Sequence, residues 1–162
     1  MLNVTRKLTN ILVTALFALL VVIVFVQVVC RVAGVSFPYA DELSRYTFVW
    51  LIYLGGTITI RSGINITFDV ILDALPRPAW KVVFTIVTLV SCAFLVMAVV
   101  LGVNLAWVNR VQVSSVVKLN MGMVMLAIPV GSLLMFFEQI SVYIKKMKEA
   151  DNVGVSAEGK EE

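Results

Sequence analysis

The chain has 162 residues, of which 60% are hydrophobic and 14% charged, with a net charge of +3 and no histidine. Soluble domains carry about 25% charged residues, so this composition excludes an ordinary water-soluble enzyme and points to a protein solvated by lipid. At this length four crossings with short connections use nearly every residue, which leaves no room for a catalytic domain and implies no enzymatic activity and no cofactor. A basic rim facing anionic lipids accounts for the positive charge, and no nucleic-acid partner is needed.

The first predicted element covers residues 9–30 and belongs to an uncharged run from Leu8 to Cys30. About 20 apolar residues of helix cross a bilayer core. The apolar run is longer than a signal-peptide core and lacks a small-x-small cleavage site, so it is expected to be retained. The second span, 41–60, opens with Asp41 and Glu42 in its first turn and ends before Arg61. Asp41 or Glu42 can pair with Arg45 at helical spacing.

Between the second and third spans, Ile64, Phe68, Ile71, Leu72 and Leu75 share one helical face, while Asn65, Asp69, Asp73 and Arg77 share another. This predicts a short amphipathic helix along the inner membrane surface. Its carboxylates suit a protein or water better than anionic lipid.

The third span, 79–109, would be about 46 Å long as a helix and must tilt or protrude. The fourth, 119–143, carries Pro129, which is expected to kink it. Residues 1–145 then form one membrane unit, and residues 146–162 read as a charged, disordered cytoplasmic tail. The fold class is all-α, with four transmembrane helices. Counting Lys and Arg in the connections puts nine on the side of the termini (Arg6, Lys7, Arg61, Arg77, Lys81, Lys145, Lys146, Lys148, Lys160) and four on the other (Arg31, Arg45, Arg110, Lys118). This bias places both termini in the cytoplasm.

The lack of histidine removes bis-His haem ligation, His-based metal sites and the commonest general base, and no metal site is expected. Cys30 and Cys92 lie at different depths and should be free thiols. Every Asp and Glu falls at or beyond the end of a span. Glu138 comes nearest to the interior and reads as a structural carboxylate paired with an interfacial cation. The mid-span polar residues Thr14, Gln27, Thr57, Thr59, Thr85, Thr88, Ser91 and Asn104 suit interhelical or back-bonded hydrogen bonds and converge on no ion or substrate site. Gly55, Gly56 and the Ser91-Cys92-Ala93 cluster would let helices approach closely.

The run Asp41-Glu42-Leu43-Ser44-Arg45-Tyr46-Thr47-Phe48-Val49-Trp50, then Arg61-Ser62-Gly63-Ile64-Asn65-Ile66-Thr67-Phe68-Asp69 and Leu75-Pro76, resembles the small membrane subunit of tripartite ATP-independent periplasmic (TRAP) transporters. Ala127-Ile128-Pro129-Val130-Gly131 is similar to that family's fourth-helix pattern. Asn65 departs from it, standing where the family usually has a histidine, and Asn cannot titrate.

The resemblance implies a multi-pass protein of the bacterial inner membrane whose partners are a large TRAP membrane subunit, a periplasmic substrate-binding protein and lipid. It implies a scaffold role in sodium-coupled import of an organic acid of the sialic acid or C4-dicarboxylate class. Asp41, Glu42, Arg45, Tyr46, Trp50, Arg61, Asn65, Asp69, Arg110 and Lys118 are the candidate partner-interface residues, with Asp41, Glu42, Arg45, Arg110 and Lys118 as an outer platform. The alternative is an independent small oligomeric transporter or channel; a redox-enzyme anchor is disfavoured by the missing histidine.

Overall fold

A computed structural model describes residues 2–62 and 77–158. They form α1 (Leu2–Val32), α2 (Pro38–Ser62), α3 (Arg77–Val108), a 3₁₀ turn (Asn109–Val111), a short α4 (Met121–Met125) and α5 (Ala127–Glu158). The amphipathic helix expected over 64–75 lies outside the described residues.

Each boundary has a local cause. α1 stops at Gly34, whose φ of +73° supplies the left-handed residue of a Schellman motif. There Val35 N–H donates to the Cys30 carbonyl at 2.9 Å and Gly34 N–H to Arg31 at 3.1 Å. Three residues later Pro38 opens α2 with its φ already helical and no N–H to leave unpaired.

Past α3 the chain forms a tight hairpin. Val113 and Asn120 pair across it, Ser114 N–H reaches the Leu119 carbonyl at 2.9 Å, and Met121 N–H reaches Gln112 at 2.9 Å. Asn120 then caps α4, its side-chain oxygen accepting from Gly122 N–H at 2.8 Å.

The fourth predicted span is a broken helix. α4 and α5 are separated at Leu126, where ψ flattens to −19°. Pro129 is the cause: it has no N–H for the Met125 carbonyl four residues back, and its ring crowds that carbonyl. The ladder is intact on either side, with Leu126 N–H on Gly122 at 3.0 Å and Val130 N–H on Leu126 at 3.2 Å. α5 also runs to Glu158, so the backbone of residues 146–158 is helical where composition suggests a disordered tail. Lys145, Lys146, Met147, Lys148, Glu149 and Ala150 are all strong helix formers and simply continue the ladder.

Among the described residues α1 packs its backbone on α2 alone, α2 on α1 and α5, and α5 on α2 and α3. The spatial order is therefore α1, α2, α5, α3: an open single layer with α1 and α3 at its edges. The α1–α2 turn and the α3–α4 hairpin lie at one end of it, called here the hairpin end; the N-terminus of α1 and the C-terminal half of α5 lie at the other.

Such a layer suits lipid. In water, two bare apolar faces would drive closure into a bundle, but lipid tails are as apolar as Leu and exert no such pressure. Phe17, Phe25, Phe94 and Met97 are all exposed. Among the described residues three helical stretches, over Thr5–Val32, Ala79–Val111 and Met121–Lys148, are long and apolar enough to cross a membrane. α2, carrying Asp41, Glu42 and Arg45 near its start, is less apolar.

The tightest burial is at small residues. Ala127 is fully enclosed and Ser132 is 2% exposed. A Cβ on Gly131 would come 2.5 Å from Tyr53 Cβ, and one on Gly102 would come 2.9 Å from Pro129 Cδ. α5 is thus gripped by α2 on one side and by α3 on the other, with the proline bend seated against Gly102. Gly56 faces Met135, as its close-approach role requires, but Gly55 opens onto empty space and takes no part.

Candidate partner interface

At the hairpin end, Asp41 and Glu42 both turn away from Arg45. The Asp41 carboxylate accepts a hydrogen bond from Gln27 of α1. Glu42 reaches across to the hairpin, where its Oε2 accepts from the Ser114 hydroxyl, from Val117 N–H at 2.9 Å and from Val116 N–H at 3.3 Å. Successive N–H groups at a hairpin tip form a concave anion cradle, and Glu42 fills it. The expected pairing of Asp41 or Glu42 with Arg45 does not occur, because three converging donors outbid one flexible, solvated guanidinium. Arg45 is exposed and has no ion-pair partner among the described residues.

Arg110 is exposed too. Its guanidinium lies 3.8 Å from the centroid of the Trp107 ring, while its carbonyl accepts from the Asn120 side chain at 2.7 Å. Lys118, at the hairpin tip, is exposed with φ at +56°, a left-handed backbone that only Gly, Asn and Asp adopt cheaply. Tyr46 is buried and Trp50 half-buried in the layer, so Tyr46 belongs to the packing. The structure thus places Glu42 beside the hairpin that carries Lys118, and sets Asp41 apart at the α1–α2 turn.

At the opposite end, Arg61 donates to the Asn10 side-chain oxygen at 2.6 Å and ties α2 to α1. Asn65 and Asp69 lie outside the described residues. Glu138, 6% exposed, takes both branches of the Arg6 guanidinium, Nε at 2.8 Å and Nη2 at 2.6 Å. A forked pair of this kind joins charge to fixed geometry. Its role as a paired structural carboxylate was legible, but its partner comes from α1, past the intervening α2. Gln27 makes the interhelical hydrogen bond expected of it; Arg6, Asn10 and Ser114 were missed as partners, and for Arg6 and Asn10 the usable signal was depth, since each lies level with its partner on another span.

Also at this end, Phe84 of α3 is stacked between Trp80 (5.0 Å) and Tyr143 of α5 (5.8 Å), with Tyr143 also hydrogen bonded to Thr85 at 3.2 Å. Thr47, Thr57, Thr59 and Thr85 bond back to carbonyls one turn earlier in their own helices. Cys30 and Cys92 are free.

These ties hold a membrane layer together and leave unpaired cations around its hairpin end. A family model describing the DctQ component of tripartite ATP-independent periplasmic transporters matches residues 20–149. The chain belongs to this family. It is similar to the C4-dicarboxylate TRAP transporter small permease protein DctQ of Rhodobacter capsulatus, 31% identical over 67% of this chain and 49% of that protein. It is also similar to a Haemophilus influenzae protein provisionally named a TRAP transporter small permease, 29% identical over 56% of this chain and 58% of the other. The chain spans about half the length of these curated relatives. As a TRAP small permease component it is a multi-pass protein of the inner membrane and part of a transporter.

Proposed function

We propose that the chain is the scaffold subunit of a sodium-coupled TRAP transporter that imports an organic acid. In this reading it braces the large transport subunit in the membrane and helps dock the periplasmic binding protein. The supporting observation is the open layer itself: polar ties and close glycine contacts hold one helix to the next, and both broad faces are left apolar for a larger membrane partner. In this reading neither the sodium coupling nor any enzymatic step is given to this chain.

In the same reading α2 is the fourth crossing, because it lies between two apolar spans of the layer and at 25 residues is long enough to cross a bilayer core. Both termini are cytoplasmic on the Lys and Arg bias, which makes the hairpin end periplasmic. Arg45, Arg110 and Lys118 are the receptor-side cations, and Arg61 lies on the cytoplasmic side. A C4-dicarboxylate is the first substrate to try, following the name of the Rhodobacter capsulatus relative; sialic acid is the second.

The test is reconstitution. The large subunit, binding protein and this chain together should take up labelled succinate along a sodium gradient, this chain alone should transport nothing, and the large subunit should co-purify with it. Transport by this chain alone, or undiminished uptake without it, would overturn the proposal.

A further inference from the structure

The turn between α1 and α2 borders a half-open cavity of about 260 Å³ lined by Gln27, Arg31, Gly34, Val35, Ser36, Phe37 and Asp41. Its walls are fixed by the Schellman motif at Gly34 and by the Gln27–Asp41 hydrogen bond. Arg31 and Asp41 carry opposite charges on the wall of this one cavity, yet they form no ion pair with each other, and Arg31 has no other acidic partner among the described residues. One Asp41 oxygen is engaged by Gln27 and the second is open. Two unlike charges held apart across a small polar cavity complement a ligand that is itself a zwitterion.

The cavity also sits where the apolar stretch of α1 ends, at Val32. Val28, between Gln27 and Arg31, and Val24, one turn before Gln27, are exposed, and Phe37 and Val35 at its mouth are exposed as well. A ligand seated in it therefore has charge at the level of the headgroups and apolar surface beneath.

We infer that the α1–α2 turn is a binding site for a phospholipid whose headgroup carries a phosphate and a primary ammonium, as in phosphatidylethanolamine, with the phosphate on Arg31 and the ammonium on Asp41. The guanidinium offers a planar fork of donors to phosphate oxygens. The ammonium donates to the open Asp41 oxygen, and the acyl chains lie along Val24 and Val28. A trimethylammonium headgroup has no N–H to donate, and a glycerol headgroup has no cation for Asp41.

The full-length chain, in complex with its large subunit where that co-purifies, is exchanged into nanodiscs of phosphatidylethanolamine, phosphatidylcholine or phosphatidylglycerol. Bound lipid is then counted by native mass spectrometry. Phosphatidylethanolamine should be retained over phosphatidylcholine by about tenfold, the value of one charge-assisted hydrogen bond. Arg31→Ala should lose retention of every phospholipid. Asp41→Asn, which keeps an acceptor for Gln27, should lose only the preference for phosphatidylethanolamine.

Equal retention of the three lipids in the unmodified protein would overturn the assignment. So would retention of phosphatidylglycerol that depends on Arg31 with no effect of Asp41→Asn, which marks a plain anion site. Displacement of the lipid by soluble glycerophosphoethanolamine at comparable affinity would replace the lipid by a free solute. None of these readouts depends on transport, so the scaffold proposal stands or falls separately.

Discussion

The α2–α5–α3 part of the layer and its α1 edge are held by different physics. Between α5 and its two neighbours the backbones approach closely at Gly131 and Gly102, Met135 fills the space over Gly56, and dispersion over that contact does the holding. α1 has none of its apolar stretch buried, and polar clips fasten it: Arg6–Glu138 and Arg61–Asn10 at one end, Gln27–Asp41 at the other. In lipid an apolar helix gains little by touching another apolar helix, so an element with no small-residue groove needs polar fasteners. The edge of the layer should accordingly be sensitive to polar changes, and the middle to volume.

Volume in the middle should give the largest effect. Gly131→Leu forces a side chain into Tyr53, where even a Cβ comes 3.1 Å from the backbone, and overpacking costs about 3 kcal/mol or more when backbone must move. Thermal unfolding in nanodiscs should show a large drop. Gly56→Ala should cost much less, because the tip of Met135 can swing away, and Gly55→Ala should cost nothing. Equal effects at Gly131 and Gly55 would dissolve the contrast between middle and edge.

The strongest polar clip comes next. Arg6→Ala leaves Glu138 with an unpaired charge at 6% exposure. The loss should be about 1–3 kcal/mol, below that of a fully buried pair because Arg6 is partly exposed and above that of a surface pair. Adding Glu138→Gln should recover most of it, since the orphaned charge is then gone. Cross-linking between α1 and α5 read alongside stability should show α1 loosening while α2, α5 and α3 stay packed.

A smaller effect is expected at Glu42, whose carboxylate is accessible to water. Glu42→Gln weakens its hold on Ser114, Val116 and Val117, and should lower the melting temperature modestly and loosen the hairpin in hydrogen exchange. Charge reversal at Glu42 should impair uptake. The double reversal with Arg45 should not restore it, because the two do not pair. Rescue by the double reversal would return the carboxylate to Arg45 and take it from the hairpin.

That residue marks the line between what was legible and what was not. Hydropathy located the apolar part of each helix, since an apolar run has one use in lipid, but not the polar ends, where α1 starts at Leu2 and α5 runs on to Glu158; Pro129 announced a bend in its span. Helical spacing paired Glu42 with Arg45 because it sees only neighbours along one helix. The hairpin donors that win the carboxylate are backbone N–H groups of Val116 and Val117, identical in every sequence until the turn that aims them exists. The Arg6–Glu138 fork spans most of the chain, and nothing in either local stretch names the other. The order α1, α2, α5, α3 was likewise hidden, since it is set by which glycines face which neighbours in the middle and by which polar side chains meet at the α1 edge.

The smallest effect separates stability from docking at the hairpin tip. Lys118 holds φ at +56°, which costs an L-residue about 1 kcal/mol and Gly almost nothing. Lys118→Gly should therefore raise stability by about 0.5 kcal/mol once the added freedom of the unfolded chain is subtracted, and Lys118→Ile should lower it. Neither substitution disturbs the Ser114–Leu119 or Met121–Gln112 backbone bonds that close the hairpin. If the side chain is a receptor contact, Lys118→Gly should weaken binding-protein-dependent uptake, more so at low salt, while the melting temperature rises. A stabilised hairpin with unchanged uptake at every salt concentration would leave the positive charge at this tip without a partner and shift the dock to Arg45 and Arg110.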